Sequence, residues 1–150
     1  MRHISLDNLT EIKKMLMNKA TICSLVLTLT TSVCWAADNV TTVPVSFAKG
    51  ANSAQVKGTF KGHDTVQYTL AANSGQRMTV QITGSSNANF NVFAPGDQPG
   101  QSSALANGGV GSDWTGALPA SGKYTVQVFQ MRASARRGEA VPYTISFSIK

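Results

Sequence analysis

Tyr143-Thr144-Ile145-Ser146-Phe147-Ser148-Ile149 decides the fold: a large apolar side chain stands at every second position, with a small hydroxyl residue between each pair. Successive side chains leave an extended strand on opposite faces, so this run has one face for a core and one for water. The same period of two recurs in Val66-Gln67-Tyr68-Thr69-Leu70, Met78-Thr79-Val80-Gln81-Ile82, Phe90-Asn91-Val92 and Tyr124-Thr125-Val126-Gln127-Val128. β-Branched and aromatic residues dominate these runs and suit a pleated, half-buried surface. Val43 to Phe47 and Val56 to Phe60 are weaker strand candidates.

Turn chemistry separates the runs, at Asn73-Ser74-Gly75, Gly84-Ser85-Ser86-Asn87, the segment from Pro95 to Gly100, and Ser121-Gly122. No long stretch carries a helical period. The sequence predicts an all-β protein, a single antiparallel β-sandwich of roughly seven to eight strands. Residues 96 to 113, rich in glycine and serine, read as the one long irregular connection, and Gln130 to Val141 as a second. No internal repeat or second folded domain is visible.

Residues 1–36 read differently. Lys13, Lys14 and Lys19 form a basic stretch with Met15 and Met17, an apolar run follows from Ile22 to Leu29, and Cys34-Trp35-Ala36-Ala37 supplies small residues. That order is a secretory signal peptide with cleavage expected after Ala36, and the apolar run is too short for a membrane span of about 20 residues. Lipidation at Cys34 is the competing reading, opposed by the bulky Val33 before it. Residues 37–150 are then a cysteine-free domain in the periplasm, stabilised by a core and not by disulfides. It has nine basic residues against five acidic ones, a difference of +4, with no basic stripe interleaved with aromatics. An acidic partner suits this charge better than nucleic acid, and no membrane partner is expected.

Catalytic side chains are scarce. After the leader there is one histidine, His63, no cysteine and one glutamate, Glu139, and no serine sits in a sharp elbow motif. The acids are scattered, so neither a glycosidase carboxylate pair nor a metal-ligand cluster is apparent. The reading is of a protein that is not an enzyme and needs no cofactor or metal. Gln130-Met131-Arg132-Ala133-Ser134-Ala135-Arg136-Arg137-Gly138 is more informative. One helical turn would bring Arg132 and Arg136 to the same side, two planar forks able to grip carboxylates bidentately. A solvated loop whose arginines serve solubility remains the alternative.

Together with Leu118-Pro119-Ala120-Ser121-Gly122-Lys123-Tyr124 and Val126-Gln127-Val128, this arginine loop is similar to the periplasmic inhibitors of goose-type lysozyme from Gram-negative bacteria. The resemblance extends from Val45 to Lys150, through Ser53-Ala54-Gln55, Lys61-Gly62, Tyr68-Thr69 and Gly75-Gln76. It implies a protein partner, a goose-type (g-type) lysozyme, whose cleft is plugged by the cationic loop. Arg132 and Arg136 would meet cleft carboxylates, with Ser121, Gly122, Tyr124 and His63 as further contacts. Alternation also allows Tyr124 to be a core residue, and His63-Asp64 to be only a polar turn. The order from Gly62 to Tyr124 further resembles β-sandwich modules at the C-terminus of secreted peptidases. The alternative is therefore a stand-alone module binding cell-wall polysaccharide; such a module needs exposed aromatics, and the one tryptophan after the leader, Trp114, reads more readily as a packing plug than as a sugar platform.

Overall fold

The computed structural model describes residues 38–150; the leader expected at residues 1–36, with its cleavage site, lies outside the described residues. Among the described residues nine strands make two stacked sheets, and one short helix lies between the last two strands. In chain order the strands are β1 (Val40–Pro44), β2 (Ser53–Lys61), β3 (Thr65–Ala72), β4 (Arg77–Gly84) and β5 (Asn89–Phe93), followed by β6 (Ala106–Gly109), β7 (Trp114–Ala117) and β8 (Gly122–Phe129). The helix α1 (Arg132–Arg136) and the last strand β9 (Ala140–Ile149) complete the chain. One sheet runs β1-β3-β8-β5-β6 and the other β2-β9-β4-β7. The all-β sandwich expected from the alternation is the fold found.

The core is the set of positions the alternation marked. Tyr68 and Leu70 of β3, and Tyr124, Val126 and Val128 of β8, face Val80 and Ile82 of β4 and Ile145 and Phe147 of β9, all at most 2 % exposed. Each such side chain removed from water contributes about 1.5–3 kcal/mol. Tyr68 and Tyr143, one from each sheet, join their hydroxyls at 2.7 Å inside this layer. Each phenol gives the other the polar partner that a buried hydroxyl requires. Burial raises the pKa of both, most strongly that of Tyr143, where the hydrogen bond to Tyr68 adds to the effect.

Five details depart from the sequence reading. β1 starts at Val40 rather than Val43, and it pairs with β3 in parallel, where every pairing was expected to be antiparallel. β9 begins at Ala140, three residues before the alternation becomes obvious. β6 lies inside the stretch read as irregular, and β7 was not anticipated. Both carry glycines that sequence rules take for turns, yet here each makes room for an aromatic ring. A Cβ at Gly108 would lie 2.4 Å from the Phe90 ring, and one at Gly116 would lie 2.5 Å from the Trp114 ring. Trp114 is half-buried, with its ring packed against the core and over Gly116.

Candidate functional site

β8 has one end at Gly122 and the other at Phe129, and the two ends of the sandwich differ. At the Phe129 end the chain leaves β8 through Gln130 and turns through α1. A helix of five residues is far below the length that is stable alone, so its contacts must hold it. Ser134 and Ala135 are buried, and the Ser134 hydroxyl donates to the Met131 carbonyl at 3.0 Å. With that face fixed, Arg132 and Arg136 project together from the opposite side, as their spacing of four requires. Both are exposed, and neither donates a hydrogen bond to another described residue. Arg137 is different. It forms the one ion pair among the described residues, with Glu139, and also donates to the Ala133 carbonyl at 3.1 Å. Glu139 in turn accepts a hydrogen bond from the Asn87 side chain.

His63 belongs to the same end. The turn between β2 and β3 is closed by Asp64 N–H donating to the Lys61 carbonyl at 3.1 Å, and it passes through Gly62 at φ +60°, a left-handed conformation that favours glycine. The turn touches the helix loop directly: a Cβ on Gly62 would sit 3.7 Å from the Ala135 carbonyl oxygen, and Gly62 N–H donates to the Glu139 carbonyl at 3.2 Å. Lys61 and His63 are exposed beside it. Lys61, Arg132 and Arg136 therefore give this end three exposed cations with no ion-pair partner among the described residues. A groove of about 450 Å³ opens next to them, lined in part by Asn89, Asn91, Val110, Phe129 and Met131. Met131 is 61 % exposed, the most of any large apolar side chain described.

Ser121, Gly122 and Tyr124, which the sequence placed beside the arginine loop, lie elsewhere. Ser121 and Gly122 stand at the start of β8 and Tyr124 two residues further on, while the arginines follow its far end; from Gly122 to Phe129 the strand spans about 23 Å. Tyr124 is fully buried, and its hydroxyl donates to the Ala120 carbonyl at 2.6 Å while accepting from Ala120 N–H at 3.2 Å. It is a core residue that clamps its own turn. Ser121 accepts a hydrogen bond from Ser74 N–H at 2.8 Å, tying the β7–β8 turn to the β3–β4 turn. Gly122, at φ +146°, passes so close to Pro95 that a Cβ would meet that ring at 2.9 Å. Each of the three thus braces a turn; Tyr124 is buried in doing so, while Ser121 stays exposed. Among the described residues no group of three or more His, Cys, Asp or Glu side chains is placed to hold a metal, and no helix is long and apolar enough to cross a membrane.

Sequence reasoning missed Gln130. It follows the alternating run of β8 as an ordinary polar residue, yet it is only 7 % exposed and donates two hydrogen bonds of 2.9 Å, to the carbonyls of Gly62 and Glu139. Nothing local in the sequence signals this.

No protein-family model matches the chain. It is 36 % identical over 126 residues to the inhibitor of g-type lysozyme of Escherichia coli (strain K12), across 84 % of this chain and 92 % of that protein. Among solved structures it is similar to Aeromonas hydrophila PliG, a periplasmic inhibitor of g-type lysozyme. The identity is 66 % over 76 % of this chain and all of that one, with a TM-score of 0.74. PliG of Salmonella Typhimurium, described in the same words, is 33 % identical over 73 % of this chain and 98 % of its own, with a TM-score of 0.58.

Proposed function

This chain belongs to the family of periplasmic g-type lysozyme inhibitors, and we propose that it inhibits such an enzyme by laying its arginine end against the acidic groups of the substrate cleft. The single observation that carries this reading is the pair Arg132 and Arg136, exposed on one side of a helix held from behind and without an anionic partner in their own chain. A guanidinium left free in this way can give its whole planar fork to a carboxylate of a partner. Arg137, already committed to Glu139, is not available in the same manner. His63 and Lys61 flank the pair, and Met131 offers an apolar contact at the rim of the neighbouring groove. The excess of positive charge speeds encounter with an acidic cleft, an effect that salt weakens.

A protein that blocks an enzyme works by complementarity, not chemistry, and the scarcity of acid, base and nucleophile side chains agrees with that role. The test is a lysis assay. The purified domain from Ala37 is expected to stop a g-type lysozyme at a one-to-one ratio and to leave chicken-type and invertebrate-type enzymes active. Equal action on all three, or retention on purified peptidoglycan with no effect on any lysozyme, would overturn it in favour of the polysaccharide-binding alternative.

A further inference from the structure

We propose that Gln130 is a positioning residue for the arginine face, acting as the strut that sets α1 against the turn bearing His63; this rests on the reading of Arg132 and Arg136 as the partner-facing pair. Gln130 stands between the last residue of β8 and the start of the helix loop. Its side-chain nitrogen uses both hydrogens, one on the Gly62 carbonyl of the β2–β3 turn and one on the Glu139 carbonyl where the loop re-enters β9, each at 2.9 Å. One buried amide thereby joins the entrance of the arginine loop, its exit and the neighbouring turn. Among the described residues it is the one side chain hydrogen-bonded across from the loop to that turn. The orientation of the amide is fixed by its partners, since the reversed form would set an oxygen against two carbonyl oxygens.

The helix gives the strut its importance. Five residues have no stability of their own, and no side chain caps the helix N-terminus. Its direction is set by what lies beneath it: Ser134 and Ala135 bury one face, but the Ser134 hydroxyl is spent within the loop on Met131, and the side-chain bond to the β2–β3 turn comes from Gln130. Gln130 also bears a cost that packing alone would not require: its buried side-chain oxygen has no hydrogen-bond partner among the described residues. An apolar side chain of the same length would fill the space without that cost. What it would lose is the pair of donors that fix the loop.

The experiment is a double-mutant cycle on inhibition of a g-type lysozyme, using Gln130→Met and Arg136→Ala. Gln130→Met keeps length and volume but removes both donors. The expected result is a rise of about ten-fold in inhibition constant, read as faster dissociation, with the salt dependence of association unchanged because no charge is lost. In the Arg136→Ala background the same substitution is expected to change the constant by about three-fold at most, since only Arg132 is left to be positioned. A merely structural defect would reduce the folded fraction and leave the penalty equal in both backgrounds; that outcome overturns the proposal. So does wild-type potency of Gln130→Met beside a weakened Arg136→Ala. Wild-type potency of Arg136→Ala overturns the arginine reading itself, and this proposal with it. Should Gln130→Met melt below the assay temperature, Gln130→Asn, which keeps the amide one methylene short of its partners, takes its place in the cycle under the same criteria.

Discussion

The two ends of this sandwich hold similar kinds of residues and use them in opposite ways. At the Gly122 end, Ser121, Tyr124 and Ser74 spend their polar atoms on backbone groups and on one another. At the Phe129 end the backbone is braced just as firmly, by Gln130, by Ser134 and by the Arg137–Glu139–Asn87 chain, but Arg132 and Arg136 are left unspent. The lesson is that a short motif does not mark a working surface by its residue types. What marks it is a charged group whose partner is missing although the scaffold around it is satisfied. A side chain with its bonds already made supports the fold; one without them is free to act on another molecule.

That contrast can be broken from either side. The largest expected effect lies at the Gly122 end. Tyr124→Ala removes a fully buried aromatic and its clamp on Ala120, and should lower unfolding free energy by about 3–5 kcal/mol in a urea titration. The fraction that remains folded should inhibit as wild type does. A Tyr124→Ala protein of normal stability and lost potency would reverse the assignment of the two ends.

A smaller effect separates the core from the arginines by pH. Burial raises the pKa of Tyr68 and Tyr143 above the ordinary value of 10.0. Their contribution to stability is complete below that ordinary value, where both states keep the proton. It is lost as pH rises above about 10 toward the folded values, because the unfolded chain ionises first. Arginine remains charged throughout this range. Thermal melting should therefore stay level from pH 7 to about 9 and fall above about 10, while Tyr68→Phe/Tyr143→Phe shows a shallower alkaline fall. An equally steep decline in that variant would show that other groups carry it.

Much of this molecule was legible in the sequence, for reasons tied to particular residues. The alternation in Tyr124–Val128 and Tyr143–Ile149 fixed which side chains enter the core, because period two has one solution on a pleated sheet. β6 and β7 escaped because Gly108 and Gly116 look like turn residues. Their purpose, room for Phe90 and Trp114, exists only after folding. The pairing of β1 with β3 is likewise non-local. At the site, the spacing of Arg132 and Arg136 was enough to place them together, and His63 proved to share their end. Ser121 and Gly122 were placed with them by resemblance alone, and the length of β8 separates them. Gln130 was invisible, since its two carbonyl partners are 68 and 9 residues away along the chain.

The central claim is that inhibition comes from the Phe129 end, through two unpaired arginines. It is tested most directly by measuring the inhibition constant against a g-type lysozyme for Arg132→Ala/Arg136→Ala beside Lys123→Ala/Lys150→Ala. Each variant removes two positive charges, the first pair from the helix and the second from exposed sites at the opposite end, where β8 begins and β9 finishes. If the arginines meet buried carboxylates, the first variant loses at least about 2–5 kcal/mol, roughly 30-fold or more, mainly through faster dissociation. The second should lose only the small, salt-sensitive part due to steering, about 0–1 kcal/mol. Circular dichroism and melting should be near wild type in both, as each removes exposed side chains only. Equal losses in the two variants, or wild-type potency in the first, would contradict the account.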